Sequence, residues 1–180
     1  KNEDNFFVQS QDGFSIIAVA DGMGGHNAGE TASSLAIQTV EDYKFSAAEP
    51  EKELKDCIQQ ANQAIWQQAQ EKEQYQGMGT TLTLGLVTDR ILIVGHVGDS
   101  RCYLFRSGDL IQLTSDHSYT GELLRKDLIT PEEAAQHPKR NLLTRALGVE
   151  AEINVEIKRQ EVSPADLLLF CSDGISEMLN

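Results

Sequence analysis

Three aspartates stand at the ends of apolar, strand-like runs, a placement that suits the binding of hard metal ions. Ile16-Ile17-Ala18-Val19-Ala20 leads into Asp21-Gly22, and Leu167-Leu168-Leu169-Phe170-Cys171 leads through Ser172 into Asp173-Gly174. Ile91-Leu92-Ile93-Val94 leads through Gly95-His96-Val97-Gly98 to Asp99. A carboxylate where a buried strand breaks into a turn is poorly solvated and firmly aimed, and three of them together repel unless a cation lies between them. Oxygen donors of this kind suit Mg²⁺ or Mn²⁺. Zinc fits poorly, because its sites favour Cys and His at short spacing, and none of the three cysteines and four histidines is so clustered. Asp21-Gly22 offers two ligands at once, the carboxylate and the Gly22 carbonyl, since glycine allows close backbone approach. Asn2-Glu3-Asp4 adds two more carboxylates just ahead of the first strand.

Competing chemistries fail on spacing. Any single Asp-Gly pair reads more readily as a turn, so it is the joint arrangement that points to a metal. Gly22-Met23-Gly24-Gly25-His26-Asn27 misses the last glycine of the dinucleotide pattern, and no Gly-Lys-Ser/Thr follows. None of Cys57, Cys102 and Cys171 has an arginine six residues later, as a thiol phosphatase loop requires. These cysteines are odd in number and widely spaced, which fits reduced thiols in a cytoplasmic protein, with Cys102 and Cys171 packed in the core. His96, inside an apolar run, reads as a satisfied core residue.

The elements that must position these groups alternate between strand and helix patterns. Phe6 to Val8 and Phe14 to Ala20 flank Gln11-Asp12-Gly13 and read as a hairpin. Ala32, Leu35, Ala36, Thr39, Val40 and Tyr43 give one apolar face to a helix over 28–45, and Leu54, Cys57, Ile58, Ala61, Ile65 and Ala69 do so for a second starting near Pro50. Gly79 to Val87 and Ile91 to Val97 read as strands, and Arg101 to Phe105 with Leu110 to Leu113 as another hairpin. Between Ser115 and Gly148 the strand signal stops. Tyr119 to Asp127, Pro131 to Gln136 and Lys139 to Leu147 read there as short helices, the second opened by Thr130-Pro131-Glu132-Glu133. Ile153 to Gln160 and Leu167 to Cys171 resume the sheet, and a helix begins at Gly174.

A chain of 180 residues with ordinary apolar content fits one domain. Its 15 basic against 28 acidic residues, a net charge of −13, argue against nucleic acid or an anionic membrane as partner and suit cation binding. No apolar stretch approaches the roughly 20 residues that span a bilayer, and the start does not read as a signal peptide.

The order Asn2-Glu3-Asp4, Asp21-Gly22-Met23-Gly24-Gly25-His26, Gly77-Met78-Gly79-Thr80-Thr81, Gly98-Asp99-Ser100-Arg101, Thr114-Ser115-Asp116-His117 and Ser172-Asp173-Gly174 resembles the motif series of the metal-dependent, type 2C protein phosphatases in their bacterial form. The insert at about 115–150, ending in His137-Pro138-Lys139-Arg140-Asn141 and Thr144-Arg145-Ala146-Leu147-Gly148, is similar to that family's flap. The resemblance implies an α+β fold, an αββα sandwich of two antiparallel sheets with helices outside and a helical flap insert.

It also implies a centre of two Mn²⁺ or Mg²⁺ ions. Asp21 would bridge both, the Gly22 carbonyl and Asp173 would bind the first, Asp4 would help hold the second, and Glu3 would support from behind. Asp99 matches an aspartate that helps bind a third, looser ion. The implied reaction is hydrolysis of phosphoserine or phosphothreonine by a hydroxide bridging cations roughly 3.5–4 Å apart, in line and without a phosphoenzyme. His26 is a candidate proton donor to the leaving alkoxide. In many eukaryotic members a histidine follows the Asp-Gly directly; Met23 stands there in this chain.

Two family features fall outside the sequence: a phosphate-binding arginine before Asn-Glu-Asp, for which Lys1 is no substitute by position, and a last aspartate ligand beyond the helix at Gly174. The expectation is a single catalytic domain over 1–180, lacking its N-terminal strand and C-terminal portion, monomeric and cytoplasmic. It would reverse the work of a bacterial Ser/Thr kinase, with flap residues such as Arg101 and Arg140, beside Arg125, Lys126 and Lys139, as substrate-binding candidates. The competing expectations are a noncatalytic phosphate- or metal-binding relative and a phosphatase of small molecules.

Overall fold

The chain opens with a hairpin. In the structure, a computed structural model describing residues 2–25 and 27–176, strand β1 (Asp4–Gln11) pairs antiparallel with β2 (Phe14–Met23). The turn at Asp12-Gly13 has φ +89° at Gly13, a left-handed conformation that glycine adopts without a Cβ clash. Helix α1 (Asn27–Asp42) buries Ala28, Gly29, Ala32, Ser33, Ala36 and Val40, a stripe of small residues that lets it lie close on β2. Helix α2 (Pro50–Glu71), with proline in its first turn, buries Leu54, Cys57, Ile58, Ala61, Asn62, Ile65 and Ala69 against β5 and β4.

Those two strands, β4 (Leu82–Val87) and β5 (Ile91–Val97), follow the two-residue β3 (Gly79–Thr80), so the run expected to be unbroken over 79–87 is interrupted at Thr81. Next come the hairpin β6 (Arg101–Arg106) and β7 (Asp109–Gln112), turning at Ser107 and Gly108 with φ of +55° and +95°. After the flap, β8 is Glu156–Glu161, opening three residues later than expected, and β9 is Leu167–Cys171. The larger antiparallel sheet runs β1-β2-β4-β5-β8 with β3 beside the end of β2, and the smaller runs β7-β6-β9.

Alternation along the strands sorts the core into two layers. Ile16, Ala18, Ala20, Leu82, Leu84, Leu86, Ile93 and Val97 pack with α1 and α2. Leu92 and Val94 point the other way, onto Cys102, Leu104, Leu168 and Phe170 of the small sheet. Gly85 makes room for this second contact, since a Cβ there would stand 2.5 Å from the Phe170 ring. Helices, large sheet and small sheet therefore stack as layers, and α5 (Asp173–Ser176) opens at the end of β9. Cys57, Cys102 and Cys171 are buried free thiols. Among the described residues no helix is long and apolar enough to cross a membrane.

The flap holds two short helices, α3 (Tyr119–Arg125), capped by Ser118, and α4 (Pro131–Ala135), opened by the capping box of Thr130 and Glu133. The third helix expected over 139–147 does not form. Its Leu143 and Leu147 instead make bridges with Ser118 and Thr80. Tyr119 N–H donates to Leu142 O, and Thr144 N–H to His117 O, which zips the two legs of the flap together. Asn62, fully buried in α2, fastens the end of this return leg: its Oδ1 accepts from Gly148 N–H at 2.8 Å and its Nδ2 donates to Glu150 O at 2.9 Å and Ala151 O at 3.2 Å.

Candidate metal centre

Asp21 does not sit in a turn, as its Asp-Gly pair suggested. It lies inside β2, directly across from Asp4 on β1, so both project from the same face of the sheet. The strand break at Thr81 has a reason here. Asp21 N–H donates to Thr81 Oγ1 at 2.9 Å, and Asp21 O accepts from Thr80 Oγ1 at 2.8 Å and from Thr81 N–H at 2.9 Å. Two threonines thus hold the backbone of one aspartate. Thr81 Oγ1 also lies 2.6 Å from Ser100 Oγ, which ties this frame to the turn after Asp99.

Gly22 is required by packing. A Cβ there would stand 2.1 Å from the carbonyl oxygen of Gly29 in the first turn of α1. Gly29 in turn leaves space for Glu3, whose Oε2 would be 2.6 Å from a Cβ at that position. Glu3 O accepts from Ser33 Oγ at 2.6 Å and from Gly22 N–H at 3.2 Å. Glu3 therefore braces β1 on α1, behind the site.

Asp99, Asp173 and Asp21 line one cavity of about 260 Å³, with Met23 and Thr81 beside them and Asn141, Leu142 and Leu143 of the flap as its cover. The three aspartates singled out by sequence thus converge, although they come from β2, from the loop after β5 and from the start of α5. Asp4 joins from β1, its Oδ2 accepting from Ser172 Oγ at 3.0 Å. Burial raises the Asp21 carboxyl to about 8, with the charges of Asp4, Asp173 and Asp99 adding to the shift and the Asp173 side chain in hydrogen-bonding reach. Burial, with Asp116 and Asp173, also raises Asp99 to about 6. Carboxylates this close demand a proton or a cation between them. Among the described residues no three Asp, Glu, His or Cys side chains form a ready-made cage. The donors are oxygens throughout, on rigid backbone, and they fit a hard divalent ion in kind and charge.

A second cavity of about 410 Å³ adjoins the first, sharing Asp99, Asp173 and Asn141, with Arg101, Asp116, Leu124, Pro131 and Arg140 among its walls. Arg101 is committed there: its Nε donates to Asp116 Oδ1 at 2.9 Å, its Nη2 to Asp116 Oδ2 at 2.7 Å and its Nη1 to Tyr103 at 3.0 Å. Arg125 donates to Asp116 O at 2.8 Å, and Lys139 lies 5.3 Å above the Tyr119 ring. Arg140 is the exposed cation on this wall. His96 is the core residue expected, with Thr83 Oγ1 at 2.9 Å from Nδ1 and Ser115 O at 3.2 Å from Nε2. His26, the candidate acid, lies outside the described residues.

Thr80, Thr81, Ser100, Asp116, His117 and Ser172 all fall within the motifs, yet their spacing does not single them out. Asn62 lies in no motif; a polar residue on the apolar stripe of α2 is its one signal.

Fold and site together define a class: a two-sheet scaffold that gathers carboxylates at one end, beneath a flap, for hard-cation chemistry. The family model described as Protein phosphatase 2C matches residues 1–180. A serine/threonine phosphatase of Listeria monocytogenes is 42% identical over 185 residues, covering 99% of this chain and 73% of that protein. A solved serine/threonine phosphatase of Staphylococcus aureus superposes with a TM-score of 0.90 at 34% identity, over 98% of this chain and 72% of the other. A solved PstP catalytic domain, in complex with two manganese ions, gives 0.87 at 36% identity over 98% and 73%. The chain belongs to the protein phosphatase 2C family of metal-dependent serine/threonine phosphatases, in its bacterial form.

Proposed function

We propose that this chain hydrolyses phosphoserine and phosphothreonine in proteins at a centre of Mn²⁺ or Mg²⁺ ions held by Asp4, Asp21, the Gly22 carbonyl and Asp173, with Asp99 serving a third, looser ion. The observation that carries the reading is the convergence of Asp21, Asp99 and Asp173 on one small cavity under the flap, with Asp4 in register beside Asp21. Bound there, such ions supply a hydroxide nucleophile near neutral pH and positive charge for the phosphate oxygens. The chain's own residues do the positioning. Thr80 and Thr81 fix the Asp21 backbone, Ser172 orients Asp4, and Asn141 to Leu143 cover the cavity from the flap.

The substrates are phosphorylated proteins made by a Ser/Thr kinase of the same cytoplasm. With a net charge of −13 the phosphatase repels anionic partners at long range, so selection falls to local contacts such as Arg140 on the wall of the second cavity. Phosphate release from a phosphothreonine peptide, with Mn²⁺ titrated from zero, tests the reading beside Asp21→Asn. Mn²⁺-dependent turnover that disappears in the variant is expected. A folded, Mn²⁺-binding protein that releases no phosphate would sink the enzyme in favour of a binding module.

A further inference from the structure

The joint between the flap and the sheets runs through His117, a side chain 1% exposed. Its backbone N–H donates to Gly98 O at 2.7 Å, and Gly98 N–H donates back to its Nδ1 at 3.1 Å. A neutral imidazole that accepts at Nδ1 carries its proton at Nε2. Nε2 lies 3.2 Å from Glu156 Oε2 of β8, which accepts that proton, and 3.4 Å from Arg145 Nη1. On the opposite side, His117 O accepts from Thr144 N–H at 2.8 Å in the return leg of the flap. The ring packs 4.8 Å from that of His96, whose cross-strand neighbour is Glu156. One residue therefore touches β5, β8, the Gly98 turn and the flap.

The Gly98 turn has little freedom of its own. Gly98 has φ +108°, and a Cβ there would stand 2.5 Å from Thr81, the residue that holds Asp21. Asp99 comes next in sequence. A flap leg that moved would pull on His117, and His117 grips this turn by two hydrogen bonds. The ring is not a proton donor for the reaction, because it is sealed from solvent. Burial and the nearby Arg145 and Arg125 push its pKa down to about 4, so the ring stays neutral at neutral pH.

We propose that His117 is a positioning residue that locks the Gly98-Asp99 turn to the return leg of the flap, so that the flap and the Asp99 corner of the metal centre move as one unit. The role rests on the phosphatase reading only for its effect on turnover; the lock itself can be read without any substrate.

The test compares His117→Asn, whose amide oxygen can replace Nδ1 as the acceptor for Gly98 N–H, with His117→Gln, whose longer side chain reaches toward Glu156 but not Gly98, and with His117→Ala. Amide hydrogen exchange is measured on the full chain with Mn²⁺, beside KM and kcat for a phosphothreonine peptide and for p-nitrophenyl phosphate. In Ala and Gln, exchange at 98–99 and 142–145 should quicken by about fivefold or more, the scale of one lost buried hydrogen bond, while α1 and α2 amides hold. The peptide KM should rise several-fold with little change for the small ester, and Asn should recover both readouts to within about twofold. Equal behaviour of Asn and Gln, or quickening spread over the whole chain, would reduce His117 to a space-filling residue and overturn the proposal. Failure of wild-type turnover with the exchange pattern intact would count against the phosphatase reading and leave the lock standing.

Discussion

Asp4 lies directly across the β1–β2 ladder from Asp21, with its carboxylate steadied by Ser172. Like charges in that position oppose folding unless a cation joins them. Metal-free Asp21→Asn should therefore unfold at a higher temperature than metal-free wild type at neutral pH, since the variant removes a carboxyl that burial and its acidic neighbours force to take up a proton on folding. Mn²⁺ should raise the melting temperature of wild type and leave the variant nearly unmoved. By titration calorimetry the variant should bind Mn²⁺ at least about a hundredfold more weakly, at or beyond the range for loss of a supporting partner. A variant no more stable than wild type without metal would mean the carboxylates do not repel as argued.

Gly22→Ala tests the crossing of β2 and α1. The added methyl would meet the backbone of Gly29, which cannot step aside as a side chain can. A loss of about 3 kcal/mol or more, the upper range for overpacking, is expected in urea unfolding. Gly13→Ala, with open space around the added atom, should cost only the strain of its φ of +89°, about 1–2 kcal/mol.

Thr81→Val keeps the shape of the side chain and removes one hydroxyl that serves two partners, Asp21 N–H and Ser100 Oγ. A buried donor left unpaired costs about 1–3 kcal/mol, and that cost should appear in stability. Turnover should fall as well, because the backbone of the central aspartate loses a strut, whereas Thr31→Val, half-buried on α1 and lining neither cavity of the centre, should leave turnover unchanged.

The clearest parts of the site in the sequence were those that a strand pattern and a charge can announce. Asp21, Asp99 and Asp173 each followed an apolar run, and the structure brings all three to one cavity. The strand break at Thr81 was hidden because Gly79 to Val87 reads as uninterrupted β pattern, and only the demand of Asp21 for hydrogen bonds stops the ladder there. Lys139 to Leu147 misled in the opposite sense. Leu142, Leu143, Ala146 and Leu147 have helical spacing, yet Leu143 and Leu147 are spent on long-range bridges, a tertiary use that overrides local pattern. Residues such as Asn62 and His117 act between segments far apart in sequence, and spacing along one element carries no trace of that.

Stability should fall on the acid side through the two buried imidazoles. Burial lowers His96 to about 4, and burial with Arg145 and Arg125 does the same for His117, against 6.5 for the free side chain. The unfolded chain then binds more protons between these values, so the contribution is complete above 6.5 and is lost as pH falls toward 4. Each group steepens the fall by up to about 1.4 kcal/mol per pH unit. Urea midpoints followed across this window should show His96→Leu with a flatter acid limb than wild type, even if its stability at neutral pH is lower. An unchanged slope would mean that His96 is charged in the folded state.

Asn62→Asp probes how the flap is anchored. The exchange is nearly isosteric and retains the acceptor for Gly148 N–H, but it turns the two donors that face Glu150 O and Ala151 O into an oxygen that repels them. Gly148 has φ +84°, and a Cβ there would stand 2.2 Å from Ile65, so the return leg lies close on α2. The leg should therefore detach. A loss of about 1–3 kcal/mol, the cost of unpaired buried groups, is expected in urea, and limited proteolysis should cut near 148–152 in the variant before any other site. Because Asn62 lines neither cavity at the centre, Mn²⁺ affinity at Asp4, Asp21 and Asp173 should stay close to that of wild type, while the looser ion proposed at Asp99, tied to the return leg through His117, weakens and the KM for a phosphopeptide rises. Loss of all Mn²⁺ binding in step with the proteolytic opening would show instead that the return leg supports the whole metal centre.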